Sequence, residues 1–367
     1  METQTEAVES LAILKNSMTN CDNILSKTES NYLKLRMMCS MEKALKVVVT
    51  DYEYESLQAE QEAMDKIGAR LIPCQCRTEE ELIEKTADAD GVFVQYAYIS
   101  RRVIENMKNC RVIVRYGIGI DCVDVEAATQ YGIMVANVPD YGLQDVADHT
   151  VALLLAAARK ITLSNQLVKS GIWDFNRAKP LYRLEGRVLG LMGFGTIARM
   201  VADRLKPFGL LVQAYDPWVS DEILAQHGVS RVDFDTLLSA SDMISLHIPL
   251  MNSTHHILNK EAFSKMKKSA ILINTARGAL VDEDALAAAL QSGFLAGAAL
   301  DVAAREPINS DNPLLGLDNV IITPHVAWYT EESQHSLQSI AANDMARALG
   351  GQVPKNLLNP KVLPDIG

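Results

Sequence analysis

The chain has no surplus of positive charge. Its 35 Lys and Arg are outnumbered by 46 Asp and Glu, for a formal net charge of −11. Nucleic-acid backbones and anionic membranes are bound by clustered cations, so neither partner is expected. Small anions can still be held by local groups. Long apolar runs are missing too. The longest, Val151 to Ala158, stops at Arg159 and Lys160, far short of the roughly 18–20 residues that span a bilayer; it reads as buried helix. Cysteine is sparse: Cys21, Cys39, Cys74, Cys76, Cys110 and Cys122. Cys74-Gln75-Cys76 lacks the CxxC spacing and has no second Cys/His pair nearby. All six read as free thiols, no metal site is expected, and a reducing, cytoplasmic setting is the expectation. No internal repeat is evident.

The first forty residues lack an apolar period. They offer neither the basic start and apolar core of a signal peptide nor the acid-poor composition of a transit peptide, carrying Glu2, Glu6, Glu9, Asp22 and Glu29. Residues 1–40 are expected to be a disordered extension. Met41, directly before the organised pattern, is a candidate start.

What is present is alternation. With 367 residues, 48% hydrophobic and 22% charged, the chain suits two globular domains. From Lys46, short apolar runs (46–51, 70–74, 91–96, 111–117, 133–139) alternate with single helical segments, the pattern of a parallel sheet covered on both faces. A helix over 143–161 follows, apolar on nearly every side and so expected between two bodies. A second round has six strands, at 187–195, 211–217, 242–249, 270–278, 297–302 and 320–325. A last helix over 331–351 could return to the first round. The expected class is α/β with two doubly wound domains: 41–142 plus 327–367, and 143–326. Nothing after Leu349 is long enough for a third domain, so feedback through a C-terminal regulatory domain is not expected.

The segment "GLMGFGTIARMVADRL" places Gly193, Gly195 and Ala198 in G-x-G-x-x-A between a strand and a helix. Such a loop lets backbone approach a pyrophosphate at a helix N-terminus. Asp216, ending the next strand about twenty residues on, suits a ribose diol and repels a 2′-phosphate. The cofactor expected is NAD, favoured over NADP. The bland alternative is a glycine turn with Asp216 capping the loop.

Hydride exchange between NAD and an alcohol needs an acid/base on the hydroxyl; if the substrate is a hydroxy acid, a cation must also hold its carboxylate. Three successive strand tips offer candidates: Arg277 in "NTARG", Asp301 and Glu306 in "LDVAAREP", His325 in "ITPH". Taken singly they could be a surface charge, a helix cap, a loop acid and a packed histidine. Arg277 suits a carboxylate because its fork binds both oxygens. A carboxylate beside an imidazole favours the charged ring.

These segments, with "NTARGALVDEDAL", "GAALDVAAREP" and "TPHVAWYT", resemble the D-isomer-specific 2-hydroxyacid dehydrogenases from about Lys46 to Ala348. The resemblance implies a flavodoxin-like substrate domain and a Rossmann NAD-binding domain. It implies that Arg277 grips the substrate carboxylate and carbonyl, that His325 is the general acid/base and that Glu306 hydrogen-bonds it. It implies a contact of Asp301 with the nicotinamide carboxamide, and backbone donors at Ile118 and Gly119 for the substrate carboxylate. Pro249 and Thr254 would border the adenosine, with Thr196, Ile197 and Ala276 further cofactor contacts. His255-His256, just beyond, reads as surface. A homodimer through the cofactor domains is the usual assembly.

Two departures stand out. Ala303 follows "LDV", where most members carry a bulky aromatic residue. Trp328-Tyr329 stand where many have small residues, and resemble the branch containing the C-terminal-binding-protein corepressors. Trp328 could cap the substrate or pack where the domains join. The expected activity is NAD-dependent oxidation and reduction of a small 2-hydroxy/2-keto acid of the phosphoglycerate, glycerate/hydroxypyruvate or glyoxylate type. The alternative is an NAD(H)-sensing, corepressor-like scaffold that binds short peptides.

Overall fold

Residues 44–363 are described by the computed structural model; the expected N-terminal extension and the candidate start at Met41 lie outside them. The first sheet comprises β1 (Lys46–Val49), β2 (Arg70–Pro73), β3 (Gly91–Val94), β4 (Val112–Arg115) and β5 (Met134–Ala136). Its order is β2-β1-β3-β4-β5, with every pair parallel. That is the flavodoxin-like arrangement. The central β3 is buried at all positions, as a run of apolar side chains on both faces requires. Helices α1 (Gln58–Lys66), α2 (Glu79–Thr86), α3 (Arg101–Glu105) and α4 (Val125–Gln130) link the strands. Thr78 and Glu81 form a reciprocal capping box on α2, and Ser100 and Asp124 cap α3 and α4.

The helix expected over 143–161 is α5 (Leu143–Ala158); a second helix the sequence did not announce, α6 (Ile161–Lys169), follows at a 60° bend. Lys160, in the left-handed region at φ 51°, turns the chain between them. Leu153 and Leu154 of α5 join Leu189, Leu191 and Ala198 in one core. The opposite side, expected to be covered, is open: Ala152 is exposed, as are Ile161 and Val168 of α6. No single helix among the described residues is long and apolar enough to cross a membrane.

The second sheet has seven strands where the sequence suggested six. They are β6 (Val188–Met192), β7 (Leu211–Tyr215), β8 (Ser230–Arg231), β9 (Met243–Leu246), β10 (Ile271–Asn274), β11 (Gly297–Leu300) and β12 (Val320–Ile322). The unexpected β8 is an exposed two-residue edge strand with no apolar run to announce it. The parallel order is β12-β11-β10-β9-β6-β7-β8, a Rossmann arrangement whose direction reverses between β6 and β9, where such sheets bind ligands. The helices between its strands are α7 (Thr196–Leu205), α8 (Asp221–Gln226), α9 (Phe234–Ala240), α10 (Lys260–Lys265) and α11 (Glu283–Gln291).

The last helix, α12 (Glu331–Leu349), packs on the first sheet, with Leu337, Ala341 and Met345 against Phe93, Val112 and Val114. Beyond it, Asn359 accepts a hydrogen bond from Val135 N (2.8 Å) and donates to Ile133 O (2.9 Å) at β5. The sites described next lie at the strand tips facing the gap between the sheets.

Candidate active site

The G-x-G turn follows β6. Gly193 has φ 89°, and a Cβ there would fall 2.6 Å from the His247 carbonyl oxygen, so only glycine fits. Gly195 is the reverse case: a Cβ on it would meet nothing within 4 Å. It precedes α7, whose N-terminus has no side-chain cap. Open space above unpaired helix amides fits an anionic diphosphate. Thr196, Ile197 and Ala198 line the same cavity, and Ala198 is fully buried against the sheet.

Asp216 behaves as the loop cap weighed from the sequence. One carboxylate oxygen accepts from Phe194 N (2.8 Å), the other from Trp218 N (2.8 Å) and Val219 N (3.2 Å). Three acceptor positions are thus used, of about four on a carboxylate. The side chain ties the phosphate turn to the β7 tip. Pro249 and Ala276 line the cavity. Thr254 does not; it closes the 249–254 loop by donating to Pro249 O (2.7 Å) and accepting from Met251 N (2.8 Å). His247, behind Gly193, is half-buried, and desolvation lowers its pKa to about 4; it bonds Ser245 Oγ at 2.9 Å. His255 and His256 stack on each other at the loop surface.

Adjacent parallel strands β11 and β12 bring Asp301 and His325 together. Asp301 is 1% exposed and accepts from Val326 N (3.0 Å) and Ala327 N (2.8 Å). It also accepts from the Thr323 hydroxyl, which in turn meets His149 Nε2 of α5 at 3.1 Å. The residue implied to contact nicotinamide therefore also fixes the turn that carries His325. That turn is tight: His325 has φ 53°, and its amide donates to Asp301 O at 2.8 Å.

His325 Nδ1 lies 2.6 Å from Glu306 Oε2, joining the two residues paired by the resemblance. Burial pushes the Glu306 carboxyl up. The hydrogen bond and charge of His325, the Ala303 amide and Arg277 outweigh it and hold the carboxyl below its usual range. Ala303 serves this site through its backbone. A Cβ on Gly278 would fall 1.9 Å from the Ala303 carbonyl carbon, so the glycine after Arg277 lets the two strand-tip loops touch.

A cavity of about 570 Å³ separates the domains and is lined by His325, Arg277, Ile118, Gly119 and Trp328. Asn274 bonds both Ala276 N and Arg277 O, stapling the turn that presents Arg277. The Ile118 carbonyl accepts from Asn137 Nδ2 at 2.7 Å, shaping the facing loop. Trp328 lines the cavity and packs on the core of the first sheet, edge-on to Tyr141 at 6.1 Å. Sequence reading missed Arg115, Asp121, Tyr96 and Tyr141, which line the opposite wall. The position of Arg115, one residue before the Tyr116–Gly119 loop, was the available signal. Among the described residues no group of three His, Cys, Asp or Glu could hold a metal ion.

Comparison with known proteins follows the same lines. The family model "D-isomer specific 2-hydroxyacid dehydrogenase, NAD binding domain" matches residues 151–327. A D-3-phosphoglycerate dehydrogenase of Methanocaldococcus jannaschii is 44% identical over 290 residues, covering 78% of this chain and 55% of that protein. The chain thus spans just over half the length of that relative. A hydroxypyruvate reductase of Blautia hydrogenotrophica is 40% identical over 285 residues, covering 76% of this chain and 88% of the reductase. The solved D-lactate dehydrogenase from Aquifex aeolicus, complexed with NAD and lactic acid, superposes with TM-score 0.77 at 30% identity, over 85% of this chain and 99% of that one. Similarity at this level, across nearly a whole reductase, means that the chain belongs to the D-isomer-specific 2-hydroxyacid dehydrogenase family.

Proposed function

We propose that the protein interconverts a small 2-hydroxy acid and its 2-keto acid with NAD(H). The observation that carries this is the His325–Glu306 pair, 2.6 Å apart, facing the same cavity as the open turn at Gly195 and the Arg277 guanidinium. Bound NAD(H) supplies the hydride acceptor or donor. The amides at Thr196 and Ile197 hold its diphosphate, and Asp216 takes a ribose hydroxyl and disfavours a 2′-phosphate. Arg277 and the Gly119 loop hold the substrate carboxylate. Nδ1 of His325 faces Glu306, so Nε2 holds the proton that moves to or from the substrate oxygen.

The substrate we favour is of the phosphoglycerate, glycerate/hydroxypyruvate or glyoxylate type, in keeping with the relatives' names. Those relatives are named as dehydrogenases and reductases, and nothing among them favours the peptide-binding scaffold. The test is steady-state oxidation of NADH by purified protein with a panel of 2-keto acids. Turnover with at least one, faster with NADH than with NADPH, is expected; no turnover with any would overturn the reading.

A homodimer through the cofactor domain is supported by an apolar surface around α6: Ile161, Val168, Trp173, Phe175 and Leu181 are exposed, Trp173 at 89%. Light scattering on the purified protein should give twice the chain mass. The free thiols of Cys74, Cys76, Cys110 and Cys122 suit a reducing, cytoplasmic compartment.

A further inference from the structure

Arg277 and Asp121 reach one another from different domains. Arg277 leaves the tip of β10, and Asp121 stands in the loop after β4. The Arg277 Nε lies 3.1 and 3.3 Å from the two Asp121 oxygens, and its Nη1 donates to Ala276 O at 2.7 Å. The remaining corner, Nη2, presses on Gly119, where a Cβ would fall 1.5 Å from it. The pair is accessible from the cavity, with side-chain exposures of 25% for Arg277 and 44% for Asp121.

A second cation shares this wall. Arg115, at the tip of β4, lies so close to the loop that a Cβ on Gly117 would fall 1.7 Å from its Nη1. Its Nε is buried with no hydrogen-bond partner. Burial raises the Asp121 carboxyl, but Arg277, and more weakly Arg115, draw it below its usual range; one acid feels both cations. Glu306 also faces Arg277, but its two oxygens are engaged by His325 Nδ1 at 2.6 Å and by the Ala303 amide at 3.0 Å. Two guanidinium groups therefore meet one carboxylate at the loop end of the cleft.

We propose that Asp121 is a specificity-determining residue: it cancels one of the two cations, so the site takes a small ligand with one negative charge in preference to one with two. The proposal rests on the 2-keto acid reading above. A carboxylate roughly 5–6 Å from a second anion, at the effective dielectric of a half-exposed site, shifts affinity by about tenfold.

Oxamate and oxalate test this, being nearly the same size and differing by one charge. Their Kd values are measured by calorimetry on the NADH-bound, full-length protein and on Asp121→Asn, Asp121→Glu and Arg115→Gln. Wild type should bind oxamate at least as tightly as oxalate. Asp121→Asn should move the ratio about tenfold toward oxalate, Asp121→Glu should restore it, and Arg115→Gln should move it the other way. Equal changes for both ligands in Asp121→Asn would leave Asp121 a prop for Arg277 and overturn the proposal. If Asp121→Asn does not fold, an unmoved ratio in Arg115→Gln overturns it instead. If wild type with NADH binds neither ligand, the 2-keto acid reading itself has failed; if wild type binds both and the ratio does not move, only this inference has.

Discussion

The two walls of the cleft are made of different material. On the cofactor side the binding surface is mostly backbone: Gly193 turned against the His247 carbonyl, Gly195 opening onto space, and the uncapped start of α7. On the substrate side it is side chains: Arg115, Tyr96, Asp121 and Tyr141. A backbone surface needs absent side chains at fixed spacing, which constrains the sequence locally. A side-chain surface needs only that the right atoms converge, from anywhere in the chain. The first kind of site holds one cofactor; the second can be retuned for substrates without disturbing it.

That contrast can be broken at His325, which stands between the walls. His325→Ala should lower kcat by roughly 10²–10⁴ while NADH affinity, followed by fluorescence titration, stays near wild type. Unchanged turnover would remove His325 from the mechanism. A paired experiment sharpens the comparison. Arg277→Lys loses the fork geometry and should raise KM for the keto acid by about 10–100-fold, from one or two lost charged hydrogen bonds, with NADH binding unaltered. Gly193→Ala should do the opposite. It forces a Cβ onto the His247 carbonyl at positive φ, costing about 1–3 kcal/mol, and should weaken NADH about tenfold with a smaller effect on KM. If both variants perturb both ligands alike, the two ligand sites are not separable.

The smallest effect expected is with pH. The folded-state pKa of Glu306 is depressed, so its contribution to stability is present above the unfolded value, about 4.3, and is lost as pH falls through the lower folded value. The acid limb of a Tm-versus-pH curve should therefore flatten in Glu306→Gln. A wild-type limb retained in that variant would mean that another carboxylate controls it.

The cofactor wall was legible because its determinants are contiguous: Gly193, Gly195 and Ala198 share six residues, with Asp216 one strand away. His325 and Glu306 were legible as tips of neighbouring strands. Arg277 was found, but its partner was not, because the Asp121 contact spans 156 positions and exists only once the two domains approach. Arg115 was missed for a related reason: a cation at the end of an apolar strand looks solvated until the opposing wall is known. In the fold, β8 escaped because two exposed residues carry no periodicity. Helix α6, beyond the turn at Lys160, escaped because it is short and none of its residues is buried. The covering expected over α5 was read from composition, and apolar composition serves an intermolecular contact equally well.

One consequence follows from where the chain crosses between the domains. It crosses twice, near Gly142 and near Trp328, and the crossings touch: a Cβ on Gly142 would fall 3.1 Å from the Trp328 carbonyl oxygen, and Tyr141 packs edge-on to the indole. Two adjacent crossings act as a hinge pin, and His325 sits three residues from it. Any motion of one domain on the other would have its shortest lever arm at His325 and its longest at the far rims of the cleft. Opening would admit and release ligand at the rim while the His325–Glu306 pair, held entirely on the cofactor side, keeps its geometry.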